Sequence, residues 1–243
     1  VEEARERLAA LLCAHPSEII FTSCGSESNN AAVRSALATK PQKGHVITTK
    51  VEHPAILTLV RYLKEHGYSL TELSVDDKGR IDLDELRASI TDDTALVSIM
   101  WANNETGNIY PAAEAGAICR ERGIIFHTDA VQAVGKIPMK LDETPIDLLS
   151  LSGHKLHAPK GVGALYVRRG VKFEPFIIGG HQENGRRAGT ENVAGIIGLG
   201  KAAELAGERI VEENSRVKAL RDKLEVSILK SCPDARVNGD VQN

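Results

Sequence analysis

Short apolar runs alternate along the chain with stretches that place apolar residues on one helical face. The runs that predict buried strands are 18–22, 45–49, 69–75, 95–100, 124–128 and 147–151. Helical spacing of apolar residues fills the intervals, at 2–14, in an alanine-rich segment that ends near residue 38, and at 55–65, 82–90 and 111–122. Strands that alternate with helices are typical of a parallel sheet whose faces those helices cover. The pattern therefore predicts the α/β class, with a mainly parallel sheet.

The last third of the chain departs from this alternation. Residues 161–168 predict an edge strand, residues 179–190 form a glycine-rich connection, and a long helical stretch then runs to about residue 230. We divide the chain into a large domain, 1–200, and a second segment, 201–243, which holds the long helix and the start of a truncated smaller domain. Because the sequence opens with Val1 inside a helical pattern and ends within what resembles a strand and turn at 237–240, we expect it to be truncated at both ends.

Composition and charge narrow the class of protein without giving a function. The 243 residues carry a net charge of −3, and lysine and arginine are interspersed with carboxylates, which argues against a nucleic-acid binder. No apolar run approaches the roughly 20 residues that span a bilayer. The four cysteines, Cys13, Cys24, Cys119 and Cys232, lack the spacing of a metal site or a disulfide framework. We therefore expect a cytoplasmic protein without a nucleic-acid partner, a membrane partner or a bound metal.

Polar residues and glycines follow the predicted strands at the points where the strands end. In open parallel sheets, ligands bind beyond the carboxyl ends of the strands. The residues at those ends are Gly25, Ser26, His53, Asn104, Asp129, Gln132, Ser152, His154 and Lys155. If these residues served merely as helix caps, they would be spread over both edges of the sheet. They would also not be expected to include an acid, a histidine, amides and a lysine. We therefore expect a ligand site at this edge.

One of these turns, residues 23–30, has the order strand, small-residue turn and helix start. Free N–H groups and the helix dipole hold phosphate groups at such a turn. The alternative is simple N-capping of a buried helix by Ser26 or Ser28. The turn alone leaves both interpretations open.

Lys155 is the candidate nucleophile of the chain. Apolar neighbours would desolvate its amine, and His154 would add a nearby cation. Both effects lower the pKa of an ammonium group, and the uncharged amine is then free to form a Schiff base with a carbonyl. The alternative is that Lys155 and Lys160 are solvated loop lysines. Pyridoxal 5'-phosphate requires a site with a Schiff-base lysine, a carboxylate, an imidazole and a phosphate cradle. Asp129 fits the role of the acid that keeps the pyridine nitrogen protonated.

Five runs of sequence resemble the motifs of a known family, at residues 51–54, 102–107, 127–132, 152–155 and 187–190. They are similar to those of the NifS/IscS-type cysteine desulfurases, which are pyridoxal-phosphate enzymes of the class-V aminotransferase type. The stretches 127–136 and 149–163 are most similar to the NifS branch. The resemblance covers essentially the whole chain, and it implies that residues 1–200 are the cofactor-binding large domain of a fold-type-I transferase.

The resemblance implies a role for each candidate residue. Lys155 would form the Schiff base with the cofactor and move the Cα proton of the substrate, and Asp129 would pair with the pyridine nitrogen. Gln132 would hydrogen-bond the ring oxygen, and His53 would stack on the ring and assist proton transfer. Asn104 would lie near the ring oxygen and the substrate carboxylate. The phosphate would be held by Gly25, Ser26, Ser152 and His154, with Thr190 reaching in from the second subunit of a homodimer.

The resemblance also implies the reaction, which turns L-cysteine into L-alanine. The sulfur would leave as a persulfide on an enzyme cysteine, for an iron–sulfur scaffold protein that serves nitrogenase clusters and hence nitrogen fixation. The persulfide cysteine and a substrate-binding arginine are expected beyond residue 243, because none of the four cysteines matches the persulfide loop. Two alternatives stay open. One is selenocysteine lyase or another pyridoxal-phosphate lyase of the same fold, and the other is a catalytically incomplete cofactor-binding fragment.

Overall fold

A seven-stranded sheet forms the centre of the computed structural model, which describes residues 1–241. The strands are β1 (Ile19–Thr22), β2 (His45–Thr49), β3 (Ser69–Leu73), β4 (Thr94–Ser98), β5 (Ile125–Asp129), β6 (Leu148–Ser152) and β7 (Gly163–Val167). Their order across the sheet is β1-β7-β6-β5-β4-β2-β3. Every strand that the sequence predicts within 1–168 is present, although β3 and β4 end two residues earlier than the apolar pattern indicates.

Six α-helices in residues 1–241 cover the two faces of the sheet. They are α1 (Glu2–Leu12), α2 (Gly25–Ala38), α3 (Pro54–Glu65), α4 (Leu83–Ser89), α5 (Ala112–Glu121) and α6 (Val193–Ser231). Helices α2 and α3 pack on one face with Leu96 and Leu165, whereas α1, α5 and the start of α6 pack on the other with Val97 and Tyr166. Successive residues of a strand face opposite sides, so β2, β4, β5 and β6, which are covered on both faces, are buried along their whole length.

Six of the seven strands in the described sheet run in the same direction. Strands β2 to β6 pair in parallel, whereas β7 pairs antiparallel with both β6 and β1. The prediction of an α/β fold with a mainly parallel sheet is therefore confirmed. The prediction of an edge strand at 161–168 is wrong, because β7 lies between two other strands and all its residues are buried. Strands β1, β2, β4, β5 and β6 end at one common edge, called the carboxyl edge below.

A buried imidazole joins the three central strands. His127 of β5 is fully buried, with its Nδ1 2.8 Å from Ser98 Oγ of β4 and its Nε2 2.9 Å from Ser150 Oγ of β6. Burial lowers the pKa of His127 to about 3, so the ring is neutral at pH 7 and has one donor and one acceptor nitrogen. Side chains as well as backbone bonds therefore tie together the strands that lead to the carboxyl edge.

Helix α6 is the longest helix of the described residues, and its first part alone is buried. Ile196, Leu199 and Ala203 pack in the same cluster as α1, whereas Val211 and Leu224 are exposed. The domain boundary predicted at residue 200 falls inside this continuous helix, so the division into 1–200 and 201–243 stays a prediction.

The end of the chain differs from the sequence pattern. Residues 237–240 do not form the predicted strand, and residues 242–243 lie outside the described part. Among residues 1–241, no helix combines the length and the apolar character needed to cross a membrane.

Gly200 allows α1 and α6 to approach closely. A Cβ at Gly200 would lie 2.5 Å from the Cα of Ala4, whereas a Cβ at Gly207 would lie 3.6 Å from Leu11 Cδ1. We expect Gly200→Ala to lower the free energy of unfolding by about 1–3 kcal/mol through overpacking. Gly207→Ala is the matched control on the same helix. It should raise the free energy of unfolding by roughly 0.5–1 kcal/mol, because alanine has a higher helix propensity than glycine. Urea denaturation measures both values, and effects of the same sign would contradict the close approach.

The neutral state of His127 predicts a loss of stability in acid. Between pH 6.5, the ordinary pKa, and about 3, the unfolded chain binds a proton that the folded chain excludes, so the free energy of unfolding falls as pH falls. The contribution of one such group is about 1.4 kcal/mol per pH unit. Because His127→Gln lacks this contribution, the stability advantage of the wild type should shrink by about 2 kcal/mol from pH 7 to pH 5.

Urea denaturation at the two pH values tests this prediction. His181→Gln replaces an exposed histidine and serves as the control for the substitution itself. A constant difference between wild type and His127→Gln would contradict a lowered pKa of His127 in the folded chain.

Candidate active site

Nine of the ten predicted site residues line one cavity at the carboxyl edge, called the central cavity below. Its volume is about 270 Å³. The predicted residues that line it are Gly25, Ser26, His53, Asn104, Asp129, Gln132, Ser152, His154 and Lys155. Each lies either at the end of a strand that runs toward this edge or in the turn or helix start that follows such a strand. The parallel sheet thus brings together turns that are far apart in sequence.

Asp129 ends β5 at the central cavity and is 4% exposed. Its Oδ1 accepts a hydrogen bond from the Val131 N–H at 3.0 Å, and its Oδ2 accepts one from the Asn29 amide at 2.7 Å. Burial raises the pKa of Asp129, while these two hydrogen bonds and the nearby His53 oppose the rise. A cationic ring nitrogen beside this carboxyl group would favour its ionised form further.

Lys155 lies on a short 3-10 turn, Gly153–Leu156, that directly follows β6. Its half-buried side chain lines the central cavity and also a second cavity of about 770 Å³ beside α6. The amine and the Asp129 carboxyl group therefore belong to the same cavity, supplied by neighbouring strands. A carbonyl compound bound there would meet both groups.

The surroundings of the His154 imidazole, next to Lys155, favour its uncharged form. Burial lowers the pKa of His154, and the ammonium groups of Lys155, Lys160 and Lys136 lower it further. Its Nδ1 lies 2.9 Å from the hydroxyl of Ser152. The two side chains form a hydrogen-bonding pair that is able to donate to an anion.

Gly25 begins α2 at the central cavity, where a side chain has no room. A Cβ at Gly25 would lie 2.8 Å from Val131 Cγ2 and 3.4 Å from Ser152 Cβ. The first N–H groups of this 14-residue helix lack partners within the helix and carry the positive end of its dipole. The alternative of capping by Ser26 or Ser28 is wrong, because Cys24 is the N-cap residue and makes no side-chain cap bond.

His53 caps α3 and thereby fixes its own tautomer. Its Nδ1 accepts a hydrogen bond from the Ala55 N–H at 3.1 Å, so the neutral ring carries its proton on Nε2. Asn104 follows β4 in a loop that Asn103 shapes, since Asn103 Oδ1 accepts from the Glu105 N–H at 2.9 Å. The loop and the cap place an amide and an N–H donor on the wall of the central cavity.

Thr190 is the predicted site residue that does not line the central cavity. It lines a separate cavity together with Arg187, whose guanidinium group pairs with Glu27 of α2 at 2.8 Å. The prediction that Thr190 contributes to the site of a second subunit stays a prediction.

Comparison with known proteins gives the family of the chain. Residues 1–243 match the family model described as aminotransferase class-V. The chain belongs to the class-V aminotransferase family. A cysteine desulfurase of a Nostoc species is 60% identical over 99% of this chain and 60% of that protein, and the cysteine desulfurase NifS of Azotobacter vinelandii is 57% identical over 100% and 61%.

A solved structure is also similar to most of the chain. The structure described as SspA in complex with cysteine has a TM-score of 0.80 and 43% identity, and the similarity covers 84% of this chain and 59% of that one. This class-V aminotransferase chain spans about 60% of the length of the curated relatives that it matches.

Class-V aminotransferases use pyridoxal phosphate, and the residues of this chain fit that cofactor. The narrow cradle at Gly25 would accept an anion, the buried Asp129 would accept a ring cation, and Lys155 would offer an amine for the aldehyde. Asn29 Oδ1 is buried and has no hydrogen-bond partner among residues 1–241. Those residues contain no group of three or more histidine, cysteine or acidic side chains placed to hold a metal ion.

Sequence reasoning missed five residues of the cavity wall, namely Cys24, Asn29, Ala55, Met100 and Val131. The sequence does carry a signal for Asn29, because it lies four positions after Gly25 and hence on the same face of α2. Met100 and Val131 are apolar and follow strands, which does not distinguish them from residues of the core.

Asn29→Ala tests the support that α2 gives to Asp129. The variant removes a donor from a buried carboxylate and raises its pKa further, so ring-nitrogen pairing weakens. We expect the Kd for pyridoxal phosphate to rise about tenfold or more, since hydrogen bonds to charged groups contribute roughly 1.5–3 kcal/mol. Absorbance titration of the apoprotein measures this Kd. Asn214→Ala, which removes a bond to the Lys136 carbonyl outside the cavity, is the control. Equal Kd values for the two variants would contradict the role of Asn29.

Proposed function

We propose that the protein is a pyridoxal-phosphate-dependent cysteine desulfurase that converts L-cysteine into L-alanine. The observation that carries the proposal is the meeting of Lys155, Asp129 and the α2 N-terminus in one cavity. A nucleophilic amine, a buried acid and an anion site match the aldehyde, ring nitrogen and phosphate of the cofactor. The names of the two relatives, and the cysteine in the SspA structure, support cysteine as the substrate.

The proposed chemistry centres on Lys155. The bound cofactor supplies an electron sink for the charge that develops at the substrate Cα. Lys155 Nζ takes the proton from Cα and returns a proton during product formation. Asp129, as a carboxylate, holds a cation at its Oδ atoms and so keeps that sink effective. His53, with a proton on Nε2, would donate to the substrate or to the leaving sulfur.

The remaining residues of the central cavity bind and orient. The N–H groups at Gly25 and Ser26 and the donors of Ser152 and His154 hold a phosphate group. The side-chain amides of Gln132 and Asn104 hydrogen-bond the ring oxygen and the substrate carboxylate.

Sulfur removal needs a thiol acceptor, which becomes a persulfide when L-cysteine becomes L-alanine. Of the four cysteines, Cys24 alone lines the central cavity. We assign the acceptor thiol and the arginine that binds the substrate carboxylate to the part of the full-length relatives that this chain does not span. Activity is therefore proposed for the full-length protein.

The cellular setting belongs to the same proposal. The 57% identity to NifS supports delivery of sulfur to an iron–sulfur scaffold protein for nitrogenase clusters in nitrogen fixation. We also propose a homodimer, in which Thr190 serves the cavity of the other subunit, and a cytoplasmic location. The four free cysteines support a reducing compartment.

Replacement of Lys155 tests the proposed function in the full-length protein. Lys155→Ala should reduce alanine formation from L-cysteine more than about a hundredfold, because it removes both the amine nucleophile and the base. Borohydride reduction followed by peptide mass analysis should place a pyridoxyl group on Lys155 of the wild type. Lys160→Ala changes an exposed lysine of the same loop and should keep its rate within about twofold.

The outcomes separate cofactor binding from desulfuration. A pyridoxyl tag on Lys155 without alanine from L-cysteine would leave a pyridoxal-phosphate protein that is not a cysteine desulfurase. A much higher rate on selenocysteine than on cysteine would favour the lyase alternative. Tags spread over several surface lysines would contradict the assignment of the site.

A further inference from the structure

A second buried acid, Glu52, lies close to Asp129 and has no task in the proposed chemistry. It is 4% exposed and directly precedes His53. Its Oε1 accepts two hydrogen bonds of 2.9 Å each, from the Met100 N–H and from the Thr49 hydroxyl. Its Oε2 is buried and has no hydrogen-bond partner among residues 1–241.

Glu52 connects two of the turns that build the central cavity. Thr49 is the last residue of β2, and Met100 follows the end of β4 and lines the cavity. The Met100 N–H donates to Glu52, and the next N–H, that of Trp101, donates to the main-chain carbonyl of Asp129 at 2.9 Å. Glu52, through its side chain, and Asp129, through its main-chain carbonyl, therefore hold consecutive N–H groups of the segment that leads to Asn104.

The ionisable groups that act on Glu52 do not favour its charge. Asp129, from β5, is an acid, and the phenol of Tyr110 stays neutral because burial and Glu52 raise its pKa to about 12. The imidazole of His53, next in sequence, favours the charge on Asp129. Burial and the Asp129 carboxyl group raise the pKa of Glu52 to about 8, while its two hydrogen bonds oppose the rise.

Hydrogen bonding distinguishes the two acids. Asp129 receives one N–H donor on each carboxyl oxygen. Glu52 receives both donors on a single oxygen and leaves the other bare. A desolvated pair of carboxyl groups does not readily carry two charges, and the group with donors on both oxygens is the better anion.

We propose that Glu52 is a positioning residue that holds a proton on Oε2 at neutral pH, so that the negative charge of the acid pair resides on Asp129. Neutral Glu52 still accepts from Met100 and Thr49 through Oε1 and so shapes the cavity wall. An ionised Glu52 would repel the Asp129 carboxylate and favour its protonation, which would weaken its hold on a ring cation. This inference goes beyond the proposed function, because it concerns the protonation of the apoprotein.

Infrared difference spectroscopy of the full-length apoprotein is the direct test, since the C=O stretch of a protonated carboxyl group is distinct from the bands of a carboxylate. At pH 7 we expect a protonated-carboxyl band that is absent in Glu52→Gln and retained in Asp129→Asn. In the wild type this band should disappear as pH rises, with a midpoint near pH 8. Glu52→Gln keeps an acceptor oxygen for Met100 and Thr49, so it is the conservative variant of this site.

Cofactor binding provides a second readout. Glu52→Gln mimics the neutral acid and should keep the Kd for pyridoxal phosphate within about threefold at pH 7, whereas Glu52→Leu removes the acceptor and should raise it about tenfold. If the role of Glu52 required a negative charge, both variants would lose affinity for pyridoxal phosphate to the same extent.

Several outcomes would overturn the inference. A band that remains in Glu52→Gln, or a band lost in Asp129→Asn instead, would place the proton elsewhere. If Glu52→Gln does not fold, the wild-type titration decides, and a spectrum without a carboxyl group that titrates between pH 6 and pH 10 would contradict the proposal. None of these spectra depends on turnover, so failure here is separate from failure of the desulfurase proposal.

Discussion

The burial of the Asp129 carboxyl group is the constraint on which the rest of the site depends. A carboxylate removed from water is stable only when its oxygens are hydrogen-bonded or paired with a cation. Here one oxygen is held by the turn that follows β5 and the other by Asn29 of α2. The same helix begins at Gly25, so one element supports the buried acid with a side chain and offers free N–H groups to an anion one turn earlier. The spacing between those two features is set by the helix itself.

The charges around the central cavity are unevenly distributed. Asp129 ends β5 and Glu52 follows β2, whereas His154, on which the charges of Lys155, Lys160 and Lys136 act, follows β6. A molecule that is cationic at its ring and anionic at its phosphate would therefore lie along the local field. This arrangement needs few ion pairs, because the ligand would provide the opposite charges.

The sequence was sufficient for the fold class and for most of the site, and the reasons are physical. Strand and helix periods identify the alternating elements, and the rule that ligands lie beyond parallel strand ends brings nine residues to one cavity. The position of β7 could not be predicted, because its wholly apolar run is compatible with either an edge or an interior place. The alternation of elements does not identify Asn29 or Glu52, because Asn29 bonds Asp129 and Glu52 bonds Met100 across long stretches of sequence. Thr190 lines a separate cavity, and its proposed contribution to a second subunit cannot be derived from the periodicity of one chain.

The imidazole of His127 links Ser98 and Ser150 across three strands that are separated by long stretches of sequence. If either hydroxyl were replaced by an apolar group, one ring nitrogen would remain buried without a partner. If His127 alone became leucine, the hydroxyls of Ser98 and Ser150 would lose their hydrogen-bond partner. Substitutions at these three positions should therefore be tolerated chiefly in combination. During evolution the three residues should change together, whereas apolar residues of the interior can be exchanged one at a time.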